Sequence, residues 1–329
     1  MKFSVTATFT ALFLVVAGFY VTLVPQRQQD AAGLQSLAAD HLLRLKDDDD
    51  VEKLRIQIAG SPSTITLERS AGKWKLTEPV EYPADPLIAD GLATALKLSP
   101  VMRRLVPEKG WAEYGLEESA LVVGVKTVKQ KDWRLLHFGD NSPLGDMVYA
   151  RWDGEKEYVL VKTDVKRAFQ RSVYSLRLKR VFRVPLDKIR KIRLRTASGD
   201  YVLAQRKDEW VWTDPVALFG QKVSHDRVNE IIIQLRDLMI KEFIDDGKLE
   251  PLQAGIMAGL GVSVSVWGEG ELFEAVHLGH EVTKRDAFYA KRLDEPALLL
   301  VARENIRRLF EIIQAEADKV NAGPITVPV

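Results

Sequence analysis

Three short motifs occur twice in this chain, in the same order and at one spacing. His137-Phe138-Gly139-Asp140 returns as His277-Leu278-Gly279-His280, Tyr149-Ala150-Arg151 as Tyr289-Ala290-Lys291, and Leu160-Val161 as Leu300-Val301, each 140 positions on. A fourth, Trp74-Lys75-Leu76-Thr77-Glu78-Pro79, returns as Trp210-Val211-Trp212-Thr213-Asp214-Pro215 at an offset of 136. Ordered matches of this kind mark a duplication, and a small loop insertion between copies makes the offset drift. The chain is thereby constrained to two domains of one fold.

Ahead of the repeats, Phe3 to Val24 contains no charged residue. About 22 residues in a helix span roughly 33 Å, enough for a bilayer core. Signal-peptide cores run only about 7–15 apolar residues, so an uncleaved anchor is expected here despite the small residues at Val16-Ala17-Gly18. Lys2 precedes the stretch and Pro25 ends it. The positive-inside rule then puts the N-terminus in the cytoplasm and the bulk of the chain outside the inner membrane, with Arg27 weakening the contrast. Cysteine is absent, so an exported body must fold without disulfides. A net charge of +1 supplies no field that would steer the chain toward nucleic acid.

Gln26 to Asp50 reads as a polar stalk, with a short helix over 34–45 and four aspartates at its end. Calcium loops interleave their ligands with spacers and a turn glycine, so consecutive carboxylates are expected to sit in solvent. The first repeat opens with a small antiparallel meander. Leu54, Ile56 and Ile58 alternate with polar residues, Ile65 and Leu67 alternate again, and Gly72 leads into Trp74 and Leu76. Asp85-Pro86 supplies an N-cap and a first-turn proline for a helix, and Ser224 supplies the matching cap in the second repeat. Further strands follow in both copies, over 121–125, 134–138, 148–152 and 158–161, then 262–267, 272–278, 287–291 and 297–301. Helices over 164–169 and 303–320 close them. The fold class is therefore α+β: a transmembrane helix, then two tandem domains of mainly antiparallel sheet packed against helices. The expected layout is an anchor over 1–25, a stalk over 26–50, repeat domains over 51–172 and 187–320, a basic connection over 173–186 and a flexible tail over 321–329.

Trp74-x-x-Thr77-x-Pro79, Pro83-Ala84-Asp85, Tyr114-Gly115-Leu116, Phe138-Gly139-Asp140 and Tyr149-Ala150-Arg151 resemble the hallmark positions of the bacterial domain-of-unknown-function family 4340. The resemblance runs over nearly all of the chain after Val51, more loosely in the second copy, where Ala258 replaces Tyr114. It implies a membrane-anchored envelope protein, similar to proteins found near ABC-type and gliding-type transport systems. It carries no catalytic residues with it.

No enzyme chemistry emerges from the motifs. His137 with Asp140 and His277 with His280 have ligand-like spacing, but zinc needs three or four convergent ligands and the two copies do not share a set. Each first histidine is expected to end a strand at a glycine turn. Ser224-His225-Asp226 holds the letters of a hydrolytic triad, yet contiguous residues at a helix start point in different directions. Gly259-Leu260-Gly261 lacks the third glycine of a dinucleotide fingerprint. Neither metal nor cofactor is expected.

Trp74, Tyr149, Trp210 and Tyr289 recur at matching places and are expected as packing anchors. Between Lys162 and Arg195 the only acids are Asp164 and Asp187. Arg177, Lys179, Arg180 and Arg183 are accordingly the candidate interface, for an acidic partner or anionic lipid. The expected function is a non-enzymatic, membrane-anchored extracytoplasmic interaction module, an accessory subunit of an ABC-type transport or other envelope assembly with membrane-protein partners. The alternative is a glycan- or peptide-binding module using the cleft between the repeats.

Overall fold

A computed structural model describes residues 40–319, apart from 47, 144, 246–261 and 270. The anchor, most of the stalk, Gly259-Leu260-Gly261 and the tail lie outside the described residues. Two compact units divide at Leu178/Lys179.

Each unit is a nine-stranded antiparallel sheet with helices on one face. The first is built from β1 (Val51–Ile58), β2 (Ile65–Ser70), β3 (Lys73–Glu78), β4 (Tyr82–Pro83), β5 (Arg103–Leu105), β6 (Leu121–Thr127), β7 (Arg134–Asn141), β8 (Met147–Trp152) and β9 (Tyr158–Lys162). Its helices are α1 (Pro86–Leu98), α2 (Thr163–Phe169) and the short α3 (Val173–Leu176). The second comprises β10 (Lys191–Thr196), β11 (Gly199–Arg206), β12 (Glu209–Asp214), β13 (Lys222–Val223), β14 (Ile240–Ile244), β15 (Ser263–Trp267), β16 (Leu272–Val282), β17 (Ala287–Arg292) and β18 (Leu298–Ala302), with α4 (His225–Asp237) and α5 (Arg303–Asp318). The strand orders β4-β3-β2-β1-β6-β7-β8-β9-β5 and β13-β12-β11-β10-β15-β16-β17-β18-β14 correspond strand for strand.

The helices start where the sequence provides acceptors. Asp85 accepts from the N–H groups of Leu87 and Ile88 at 3.0 and 3.4 Å, and Ser224 Oγ accepts from Arg227 N–H at 3.4 Å. Alternation places Leu54, Ile56, Val123, Val125, Leu136 and Phe138 against Ala89, Leu92 and Leu96 of α1 in the first core. The second core gathers Ile192, Leu194, Val264 and Leu278 against Ile231, Leu235, Leu309 and Phe310.

The repeated motifs have local structural reasons. In W-x-x-T-x-P the tryptophans are core residues, Trp74 4% and Trp210 5% exposed. Thr77 and Thr213 donate to the Thr66 and Val202 carbonyls at 3.5 and 3.3 Å, where each strand pair shifts register. Both prolines follow cis peptide bonds. The H-x-G motif does not end a strand as expected. β7 and β16 continue past it through a register shift, between Phe138 and Asn141 and between Leu278 and Glu281. Gly139 is needed because a Cβ there would lie 2.0 Å from the Tyr114 carbonyl oxygen.

The end of the stalk is part of the fold, not a solvated spacer. Leu42 and Leu43 are 3% and 2% exposed, and no helix runs over 40–45. His41 bridges Pro100 as Arg180 bridges Met239, and Val101 N–H donates to Asp40 as Ile240 N–H donates to Lys179. Each repeat therefore opens with an extended lead-in, at an offset of 139 between copies. Two of the aspartates are likewise held: Asp49 accepts from Thr127 Oγ1 at 2.7 Å, and Asp50 accepts from Lys97 and Arg69 at 2.8 and 2.9 Å. Hydrogen bonds to these cations and donors outweigh their burial and hold both carboxyls below the usual range.

Candidate interaction surface

The face of the first sheet opposite its helices carries the chemistry of this unit. Side chains alternate along a strand, so the strands that bury Leu136 and Phe138 turn Trp133, Leu135 and His137 the other way. Trp133 packs over Gly124, where a Cβ would come within 3.0 Å of its ring. Arg55 and Lys126 flank that ring at 4.2 and 5.0 Å from its centroid. Trp111, on a 3₁₀ turn over Trp111–Tyr114, lies 4.5 Å from the Arg151 guanidinium. Such pairs add cation–π attraction to their packing.

Tyr114, Tyr149 and Tyr158 complete the face, with ring centroids 5.1, 4.6 and 5.4 Å apart. Burial, then the hydrogen bond with Tyr114, pushes the Tyr158 phenol up to about 12, so it stays protonated as a donor. His137 stands in register with Val122 on one side and Arg151 on the other. Burial, reinforced by the Arg151 charge, lowers its pKa. Both its ring nitrogens are buried without a hydrogen-bond partner, as are the Nε atoms of Arg55 and Arg151. Orphaned polar atoms are rare in folded proteins. Arg104 Nε and, in the second domain, Arg193 Nε are buried in the same way, so this feature is not particular to the face.

The basic segment singled out from the sequence is placed differently. Arg177 is 2% exposed, with its guanidinium 5.0 Å from the Tyr82 ring and its backbone bridging Ala84. Arg183 is paired with Glu295, and its N–H donates to Glu274 at 2.8 Å. Lys179 accepts from Ile240 through its backbone and is half-buried. Arg180 alone of the four is exposed. Arg177 and Arg183 are thus held inside their own domains, and the run is not a solvated basic strip.

Among the expected anchors, Trp74 and Trp210 lie in the cores, whereas Tyr149 and Tyr289 are half-buried on the opposite face, in register with Leu160 and Leu300. The tyrosines are therefore not core residues, because their strand parity sets them opposite Ala150 and Ala290. Among the described residues, no group of three or more His, Asp or Glu side chains is placed to hold a metal ion.

The sequence reading also missed a buried ion cluster in the second domain. Arg292, 2% exposed, donates to the Val181 carbonyl and binds Asp294 at 2.9 Å and Glu274 at 3.3 Å. Burial opposes its charge, but the carboxylates win and its pKa is raised.

A family model described as Domain of unknown function (DUF4340) matches residues 74–255. That is a shorter span than the motifs implied, beginning at Trp74. No curated protein and no solved structure matches the chain.

Proposed function

The chain belongs to the DUF4340 family, and we propose that it is a non-enzymatic interaction module, anchored in the inner membrane by residues 3–24, whose two domains stand outside the cytoplasm. In this reading it serves as an accessory subunit of an ABC-type transport or other envelope assembly.

The observation that carries the reading is the open face of the first sheet. Arg55 and Lys126 beside Trp133, Arg151 beside Trp111, and the Tyr114, Tyr149 and Tyr158 rings are gathered there. Aromatic and arginine side chains are the types that dominate binding energy at protein interfaces. Of the repeated motifs, W-x-x-T-x-P is explained by packing, whereas His137, Tyr149 and Arg151 of two others lie on this face.

The test is a mild-detergent pull-down of full-length tagged protein, with the Trp133→Ala and Arg151→Ala chains in parallel. Recovery of stoichiometric permease or ATPase subunits, reduced at least about tenfold by Trp133→Ala as expected of an interface anchor, supports the proposal. Recovery of the protein alone, or capture indifferent to both substitutions, counts against it.

A further inference from the structure

Duplication provides an internal control. A feature both repeats share is explained by their fold, whereas a feature of one repeat needs another reason. The second domain has two such features, and they adjoin.

The first is a loop. From Pro79 the first repeat turns directly into β4, and Ala84 N–H reaches the Trp74 carbonyl at 3.0 Å. The second repeat inserts a 3₁₀ turn over Val216–Leu218 before β13. Leu218 is fully buried, and N–H groups of Leu218, Gly220 and Gln221 donate to Pro215, Trp212 and Leu218 at 2.9, 2.9 and 3.0 Å. This well-bonded loop holds Val216 90% and Phe219 60% exposed.

The second is positive charge beside it. Arg206 lies 5.7 Å from the Phe219 ring. The next residue, Lys207, lines a cleft of about 510 Å³ with Arg190, Lys191, Gln205 and Trp267, and Glu269 is the acid on its wall. Lys191 sits 4.6 Å over the Trp267 ring. The first repeat arranges this region differently, with Arg55 and Lys126 stacked on Trp133. Lys53, which matches Lys191 in the sheet, is opposite Glu68 and paired with it at 3.1 Å, whereas Lys191 is opposite Ala204. The turn that holds Arg206 and Lys207 holds Ser70 and Ala71 in the first repeat, with φ of 57° at Lys207 and 48° at Ala71.

We propose that this loop and cleft form a peripheral docking surface for an anionic bilayer. Val216 and Phe219 enter the headgroup region while Arg206, Lys207 and Lys191 meet lipid phosphates. Adjacent apolar and cationic groups fit a lipid interface; an acidic protein surface would leave the apolar pair in water. The inference goes beyond the proposed function and does not need 3–24 to span the membrane.

The chain has no cysteine, so one substitution gives one labelling site. Full-length Val216→Cys chain carrying a polarity-sensitive fluorophore is mixed with vesicles of phosphatidylcholine, alone or with phosphatidylglycerol. Leu87→Cys is the comparison, since Leu87 is 85% exposed in the first domain. Emission at position 216 should shift to the blue only with phosphatidylglycerol. The shift should fade in high salt and in the Lys191→Glu/Lys207→Glu background, while position 87 does not respond. No shift at 216, or an equal shift at 87, overturns the inference. A chain that floats with both vesicles yet shows no shift at 216 keeps the proposed anchor and still overturns the docking surface.

Discussion

Leu42 and Val181 occupy the same place in two copies of one fold, and unlike side chains hold them there. In the first domain Trp152 Nε1 donates to the Leu42 carbonyl at 3.0 Å. In the second the matching residue, Arg292, donates to the Val181 carbonyl. A buried carbonyl needs a donor, and the fold does not dictate which one. The consequences differ, however. A neutral indole brings one hydrogen bond, whereas a buried guanidinium requires carboxylates around it. Glu274, Asp294 and Glu295 gather at Arg292, and Glu295 also binds Arg183. The same connection is thus neutral in one repeat and ionic in the other.

The largest expected effect comes from breaking this contrast. Arg292→Met leaves Glu274, 9% exposed, without its cation, and removes the Val181 donor. Loss of one partner of a buried pair costs about 3–5 kcal/mol. Trp152→Phe keeps most of the ring and loses one hydrogen bond, for about 1–2 kcal/mol. Urea denaturation of the full chain, followed at both transitions, should show the second domain shifted well beyond the first. Equal shifts would mean that the ion cluster contributes no more than the indole.

A medium effect should appear on acidification, and only in the first domain's His137 row. Its folded pKa lies below the ordinary 6.5 because burial and then Arg151 disfavour the proton, with Asp153 opposing them. The unfolded chain therefore binds that proton first. The stability contributed by neutral His137 is complete above about pH 6.5 and is lost as pH falls through the depressed folded value. Asp40, Asp49 and Asp50, with pKa values lowered from 3.8, lose their contributions only further into acid. Between about pH 6.5 and pH 4.5, the first transition should weaken in the native chain and stay nearly level in His137→Leu. Parallel pH profiles for the two chains would rule out the histidine as the cause.

The two repeats also show what a sequence can and cannot disclose. Alternation and capping were local signals, so the first meander, the four later strands of each repeat, α1, α4 and the closing helices were legible, whereas the short edge strands β4, β5, β13 and β14 were not. The lead-in was not. Its bridge joins His41 to Pro100, and the only sequence trace is an apolar pair, Leu42-Leu43 or Val181-Phe182. Charge density misled for the same reason. Arg183 stood out as an interface cation because its partners Glu274 and Glu295 lie on strands or turns far along the chain. The cation–aromatic face had a usable signal in the i, i+2, i+4 spacing of Trp133, Leu135 and His137. Trp111, on an irregular turn, had none.

The smallest effect lies at the helix caps, where the copies differ by one accepted hydrogen bond. Asp85 is a carboxylate that accepts two N–H groups at the start of α1, and Pro86 follows it in the first turn. Ser224 is a neutral hydroxyl that accepts one N–H at the start of α4. Truncating a cap costs about 0.5–2 kcal/mol, and a negative charge at a helix N-terminus adds a favourable dipole interaction of about 0.3–1 kcal/mol. Asp85→Ala should therefore lower the first transition by about 1–2 kcal/mol, and Ser224→Ala the second by about 0.5 kcal/mol. The charge part is screened by salt, so the gap should narrow as ionic strength rises. A gap that persists unchanged in high salt would assign the difference to hydrogen-bond number alone.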